Sequence, residues 1–319
     1  MPHDDNGQDD LFVSIAESLP KIKPPSMVKR RLIESAVAID ADDPESVVYQ
    51  HTVLCQTCLP YRDPGADVRR WQRSQGSARL EIEAGRALDP VSEEFVDVGL
   101  PFGPKPRLIL AYLNTEAIRR QTPLIEVGDS LTDFVKRIRS FEHGREIRAF
   151  KNQLGRLSVA LIRLACVRDG RLSQTDSKVI SGFDLWFPRD ERQRVLWPST
   201  IRLSAEYFES LQEHGVPLDE RALAALAHSA LALDVYAWLA QRLCRVDPNK
   251  PAFIPWPALK AQFGPDYARL RDFRAAFKQT LEAVHTQYRA ARVELDGCGM
   301  TLRRSQSPVP KNPVLITSK

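Results

Sequence analysis

The sequence holds little that would serve catalysis, membrane anchoring or covalent stapling. No apolar run approaches the roughly 20 residues that span a bilayer. The first ten residues, MPHDDNGQDD, are acidic where a secretory signal is basic and then apolar. These two absences lead to the expectation of a cytoplasmic protein without membrane contact. Only five cysteines occur in 319 residues, an odd number that argues for reduced thiols rather than a disulfide framework. Cys55 and Cys58 form a CxxC, but Cys166, Cys244 and Cys298 stand apart and His51 is the one nearby imidazole, so four zinc ligands are not assembled. Two small buried thiols are expected, with no metal and no cofactor. His3, His51, His143, His214, His228 and His285 never pair at ligand spacing, and no GxxxxGK[ST] phosphate loop is present. GLPFGPKPR has glycines and a lysine but neither that spacing nor the hydroxyl. A nickase or a primase would lack its machinery here, so the expectation is a protein that is not an enzyme.

Bases are missing from one place and concentrated in others. Residues 1–19 carry Asp4, Asp5, Asp9, Asp10 and Glu17 and no Lys or Arg, so the other 300 residues carry +9 where the whole chain carries +4. The location of such an excess matters more than its sum. A hydrophobic content of 43% and a charged content of 27% fit a globular protein, and the length admits two domains.

Along the chain, residues 1–25 read as an acidic flexible tail ending in prolines. Residues 26–100 read as an N-terminal extension with one short helix, MVKRRLIESAVAI, and β-rich runs such as VVYQHTVL and ARLEIEAG. From residue 101 to 195 come an amphipathic helix RLILAYLNTEAIRR, a strand LIEV, a helix SLTDFVKRIR and a helix REIRAFKNQLGRL. SVALIRLACV and VISGFDLWF then read as two strands of a hairpin around Asp169-Gly170. Residues 196–319 repeat the order: the apolar helix ALALDVYAWLAQRLCR, the strand AFI, the helix WPALKAQF, a helix over 266–288, and a hairpin of ARVEL and MTLRR, followed by a flexible C-terminal tail. Three helices followed by a hairpin is the order of a winged helix-turn-helix. The expected fold is therefore α+β and mainly helical, with two tandem winged helix-turn-helix domains and a small β-containing extension.

Both third helices carry one apolar seam and one cationic stripe. In the first, Ile147, Phe150, Leu154 and Leu157 oppose Arg145, Arg148, Asn152 and Arg156, with Lys151 beside them. In the second, Leu270, Phe273, Phe277, Leu281 and Val284 oppose Arg271, Arg274, Ala275 and Lys278, with Tyr267 one turn earlier. A helix of this diameter fits the major groove, where Arg and Asn make bidentate bonds to base edges. Arg148, Asn152, Arg271 and Arg274 are the candidate base readers. Lys151, Arg156, Arg168, Arg171, Lys278, Arg303 and Arg304 are the candidate phosphate contacts, which set register and give salt-sensitive affinity. Trp186, Trp197, Trp238 and Trp256 are assigned to packing.

Several long blocks, in order between about 50 and 307, carry a resemblance. They are GLPFGPKPRLILAYLNTEAIRR, VGDSLTDFVKRI, FDLWFP, LWPSTIRLSAEYFESL, VPLDERALAAL, LALDVYAWLAQRL and QFGPDYARLRDFRAAF. Together they resemble the RepA-type replication initiators of bacterial plasmids. The resemblance implies paired winged-helix domains that recognise direct repeats in double-stranded origin DNA, open the duplex locally and recruit host replication initiator and helicase-loading proteins. It implies no catalytic residues, it places the DNA-contacting helices at 145–157 and 266–284, and it leaves self-association open. The alternative is a winged-helix transcriptional repressor, acting on its own promoter, which shares the same chemistry.

Overall fold

The computed structural model describes residues 26–89, 92–127, 133, 135–136, 144–168, 171–175, 179–186 and 197–309. The acidic segment 1–25, the C-terminal 310–319 and most of SLTDFVKRIR lie outside the described residues, although Asp133, Val135 and Lys136 are helical. α1 (Met27–Ala41) begins at Ser26, whose Oγ accepts the Lys29 N–H at 3.3 Å. β1 (Val47–His51) leads directly into α2 (Thr52–Gln56), where the sequence suggests a single strand. The turn is made by His51, whose Nδ1 accepts the Val53 N–H at 3.2 Å and so caps the short helix. β2 (Arg70–Gln75) and β3 (Ala78–Glu83) form one hairpin, β4 (Arg86–Leu88) and β5 (Phe95–Asp97) a second.

α3 (Pro104–Arg120) is set by its ends. Gly103 precedes it at φ 77°, a region L side chains rarely occupy, and the prolines at 104 and 106 fit a first turn whose N–H groups have no helical partner. Gln121, at φ 52°, ends it, with Arg119 and Arg120 at the negative pole of the helix dipole. This helix is not amphipathic as its sequence suggests. It is buried from Pro106 to Thr115 on all sides, because β1 and later helices pack around it. After it come β6 (Leu124–Glu126) and α4 (Gly144–Val159).

The strands that follow α4 depart from the expected hairpin. β7 (Leu161–Arg168) pairs antiparallel with β8 (Arg171–Thr175), and both extend the β2–β3 hairpin into a four-stranded sheet of order β2-β3-β7-β8. VISGFDLWF instead supplies β9 (Ile180–Trp186), which pairs with β10 (Trp197–Leu203) and, through it, with β6. Apolar matching explains the exchange: Leu164 lies opposite Leu80 and Ile162 opposite Ile82, all four buried, and such cross-strand pairs fix register.

α5 (Ala205–His214) starts at the Ser204 cap, and β11 (Gly215–Asp219) pairs antiparallel with β1 over its whole length. Asp219 caps α6 (Glu220–Leu226), and Ser229 caps α7 (Ala230–Leu243). β12 (Ala252–Pro255), α8 (Trp256–Phe263), α9 (Leu270–Gln287), β13 (Val293–Leu295) and β14 (Gly299–Leu302) complete the chain. β13 and β14 form the expected hairpin, and β12 joins its free side. The sheet orders β6-β10-β9 and β12-β14-β13 are the same: the first strand of each unit pairs with the last. The fold is thus mixed α+β with small antiparallel sheets, and one arrangement occurs twice.

The buried apolar residues form one continuous cluster that runs through both arrangements and the N-terminal extension. α1 packs on α6 and α9: Ser35 Oγ donates to Arg221 O at 3.1 Å, and Gln287 Nε2 donates to Leu32 O at 2.8 Å. Cys55 and Cys58 sit within the cluster, and burial pushes both thiols well above the ordinary range.

Candidate nucleic-acid interface

α9 is held by its apolar seam. Phe273, Phe277, Leu281 and Val284 are buried, and Trp256 and Phe263 of α8 meet Phe277 with ring centroids 6.0 and 5.8 Å apart. Gly264 is required between the two helices, since a Cβ there would lie 2.1 Å from the Phe273 ring. The helix begins at Leu270 rather than at 266, because Tyr267 N–H donates to Gly264 O in a turn; Tyr267 then packs edge-on against Phe273 instead of extending the cationic stripe. The seam fixes the rotation of α9 and turns Arg271, Ala275 and Lys278 to the surface. Arg274 is half-buried, its guanidinium 5.0 Å above the Trp256 ring, which holds it close to the helix. Asp272 engages Arg269 at 2.7 Å and Arg271 at 3.6 Å, so the single acid of the first turn restrains two cations at the helix start.

On the neighbouring sheet, Arg303 and Arg304 follow β14 and are exposed. Arg303 pairs with Glu294 at 2.9 Å, and this hydrogen bond raises the arginine pKa and lowers that of Glu294. That pair splays Arg303 along the hairpin and leaves Arg304 beyond it.

α4 repeats the design with one difference. Phe150, Leu154 and Leu157 are buried, while Arg148 and Asn152 are exposed and Lys151 is half-buried. Arg156, however, faces inward. It donates to Leu100 O at 3.0 Å and to Asn152 Oδ1 at 3.1 Å, lies 3.5 Å from Asp63, and covers the Phe102 ring at 5.0 Å. Its guanidinium binds the segment that leads into α3, and it also takes the Asn152 carbonyl oxygen. The side chains of Ile147, Arg145, Arg168 and Arg171 lie outside the described residues; the backbones of Arg168 and Arg171 are opposite one another at the closed end of the β7–β8 hairpin. Arg163, on β7, is neutralised by Glu81 and Glu83.

Two residues that sequence reasoning passes over join the arrangements. Arg107, at the start of α3, gives a bidentate pair to Asp234 of α7, with Nε and Nη2 at 2.7 Å from Oδ1 and Oδ2. Its other N–H groups reach Gly103 O at 2.7 Å, Leu59 O at 2.8 Å and Pro60 O at 3.4 Å. Burial opposes the charge, but the Asp234 carboxylate outweighs it and keeps the guanidinium more basic than usual. An acid in the otherwise apolar run LALDVYAWLA is the available signal, since a buried charge requires a partner.

Among the described residues, no group of His, Cys, Asp and Glu could hold a metal ion, and no helix is long and apolar enough to cross a membrane. The chain is thus mixed α+β with two cationic helices: α4 packs on the β6-β10-β9 sheet, and α9 packs on α8, which meets β12 and β14 of the other sheet. Residues 100–256 match the family model RepA_C, described as plasmid encoded RepA protein. The matched segment is just under half of the chain, and the match agrees with the resemblance to RepA-type proteins seen in the sequence. Among solved structures, the crystal structure of domain 2 and domain 3 of RctB aligns with 10% identity and a TM-score of 0.48 over 79% of this chain and 95% of that chain. A second structure of RctB domains 2-3 aligns with 10% identity and a TM-score of 0.46 over 80% and 97%. No curated protein matches.

Proposed function

We propose that the protein is a plasmid replication initiator that binds direct repeats in double-stranded origin DNA, promotes local opening and recruits host initiator and helicase-loading proteins. In this reading α3, β6, α4, β9 and β10 make one winged helix-turn-helix, and α7, β12, α8, α9, β13 and β14 make another. The observation that carries it is the repeated pairing of a half-buried helix, cationic on its outer face, with a sheet in which the first strand pairs with the last. The RepA_C match over 100–256 supports the initiator role. Arg148, Asn152, Arg271 and Arg274 act as base readers; Arg145, Lys151, Arg168, Arg171, Lys278, Arg303 and Arg304 meet phosphates. Arg156 acts instead as an internal brace. The domains divide at about residue 196, and 26–100 form the extension.

A nuclease footprint on the DNA flanking the coding region tests this function. Protection of several direct repeats of about 20 base pairs, next to an A·T-rich run, is the expected result. Protection confined to one palindrome over a promoter would make the protein a repressor, and no protection would reject both.

A further inference from the structure

Among the proposed base readers, Asn152 alone carries no charge. An asparagine amide has two unlike ends: Oδ1 accepts hydrogen bonds and Nδ2 donates them. Which end faces DNA decides what the residue can read. In α4, Oδ1 accepts the Nε–H of Arg156, one turn further along the helix, at 3.1 Å. Chemistry forces this orientation of the amide, since a guanidinium has only donors and could not bond to Nδ2. Asn152 is exposed, and Nδ2 makes no hydrogen bond among the described residues.

Arg156 is itself held from other sides. Nη1 donates to Leu100 O at 3.0 Å, Nη2 lies 3.5 Å from Asp63 Oδ2, and the guanidinium covers the Phe102 ring at 5.0 Å. Gly99 makes the space, because a Cβ there would come within 2.8 Å of Nη1. The segment that supplies these contacts is fixed to α4 by the Phe102 N–H, which donates to Gln153 Oε1 at 2.9 Å. The guanidinium cannot turn without giving up these partners, so its Nε–H has a set aim. Rotation of the Asn152 amide away from it would leave a half-buried cationic donor unpaired, and a charge-assisted bond of this kind favours the held orientation by about tenfold or more.

We propose that Arg156 is a specificity-determining residue that acts through Asn152: by taking Oδ1 it leaves Nδ2 as the group offered to DNA, and so directs Asn152 to guanine rather than adenine. This rests on the reading of α4 as a DNA-binding helix and of Asn152 as a base reader. An unrestrained asparagine meets adenine with a pair of bonds, accepting from N6 and donating to N7. With Oδ1 turned to Arg156 the first bond is lost, and the N6–H faces a donor. Guanine shows adjacent acceptors, O6 and N7, which suit the N–H groups of Nδ2. Arg156 touches no base in this arrangement; its part is to position.

The test measures binding of the full chain to the protected repeat and to duplexes in which each base pair of that repeat is replaced in turn. Asn152→Ala, at an exposed position, should lose discrimination at one base pair, which identifies the pair that Asn152 reads. There the unaltered chain should prefer G·C to A·T by about tenfold. Arg156→Met, which keeps an apolar chain over Phe102, should reverse that preference and leave preferences elsewhere as they were. A loss of stability alone would weaken binding to all these duplexes alike. Preference of the unaltered chain for any other pair at that position, or an unchanged preference for G·C in Arg156→Met, would overturn the proposal and leave DNA binding by α4 intact. The first of these outcomes is read without altering Arg156, so it holds even where the variant fails to fold. If repeats are bound but Asn152→Ala changes discrimination nowhere, Asn152 is no base reader; if no repeat is bound, the proposed function itself falls; this proposal fails in both cases.

Discussion

His51 shows how much a single buried side chain can decide. It caps α2 through Nδ1, meets Ser210 Oγ at 3.0 Å through Nε2, and stacks on Tyr207. Burial, with His214 nearby, lowers its pKa from 6.5 to about 3. The folded chain thus refuses a proton that the unfolded chain accepts below pH 6.5, so stability declines as pH falls from 6.5 towards 3. Between pH 6.5 and pH 5 the loss is on the order of 2 kcal/mol. His51→Asn, which keeps an acceptor for the Val53 N–H, should flatten that part of the stability profile in urea titrations. An unchanged slope would show that other groups set it. Arg107 and Asp234 pose a different problem, since each is tolerable only with the other. Asp234→Asn should cost about 3–5 kcal/mol, whereas Arg107→Met with Asp234→Leu should recover most of it. Equal stability of Asp234→Asn and the unaltered chain would mean that water reaches the guanidinium. Burial of the two thiols at 55 and 58 was legible, because their pattern lacked further ligands. The Arg107–Asp234 pair was not, because spacing reveals a lone buried charge but not its partner 127 residues away.

At the scale of elements, the seam of α9 makes rotation in a groove a fixed quantity. Arg274, held against Trp256, has fewer rotamers to lose than Lys278, which stands exposed. Arg274→Ala should therefore cost about 1–3 kcal/mol on the specific repeat and much less on random duplex, and Lys278→Ala should weaken both alike. Equal losses for both substitutions on both kinds of DNA would remove Arg274 from base reading. Arg156→Ala belongs with stability: it should lower the urea midpoint and leave the salt slope of DNA binding unchanged. Local pattern predicted elements well where one face is buried. WPALKAQF is α8 to the residue, and the seam residues of α4 and α9 that are described are buried as their spacing requires, apart from the half-buried Leu270 at the start of α9. It failed for α3, whose polar residues Asn114 and Thr115 suggest a solvent face. Asn114 instead receives the Tyr207 hydroxyl at 2.9 Å and donates to Gln50 at 2.8 Å. It failed again for β7, since the choice between β3 and β9 as partner is made by side chains about 80 residues upstream.

For the whole molecule, the question is whether the two cationic helices act on one stretch of DNA. The Arg107–Asp234 pair, the continuous apolar cluster and the structured segment β10–α5–β11 between them all oppose relative motion. Two rigidly coupled helices on one side of a duplex would lie about one turn, or 10 base pairs, apart. Inserting five base pairs within a repeat should abolish tight binding, and inserting ten should restore it only in part. Undiminished binding after the five-pair insertion would show that the two helices do not share a site. The repeated order of elements is legible along the chain because each unit is local. The integration of the extension is not, because the match of VVYQH with GVPLD depends on a register that no local pattern records.

That pairing also has a consequence for how the protein is made. β1 leaves the ribosome roughly 170 residues before β11 does, which at about 5–20 residues per second is a wait of some 8–34 seconds. During that interval β1 has no partner strand, and α2 lacks α7, against which it packs in the finished fold. The nascent chain thus offers a chaperone an unpaired strand edge until synthesis has passed residue 219, and slower translation of this stretch would lengthen that exposure.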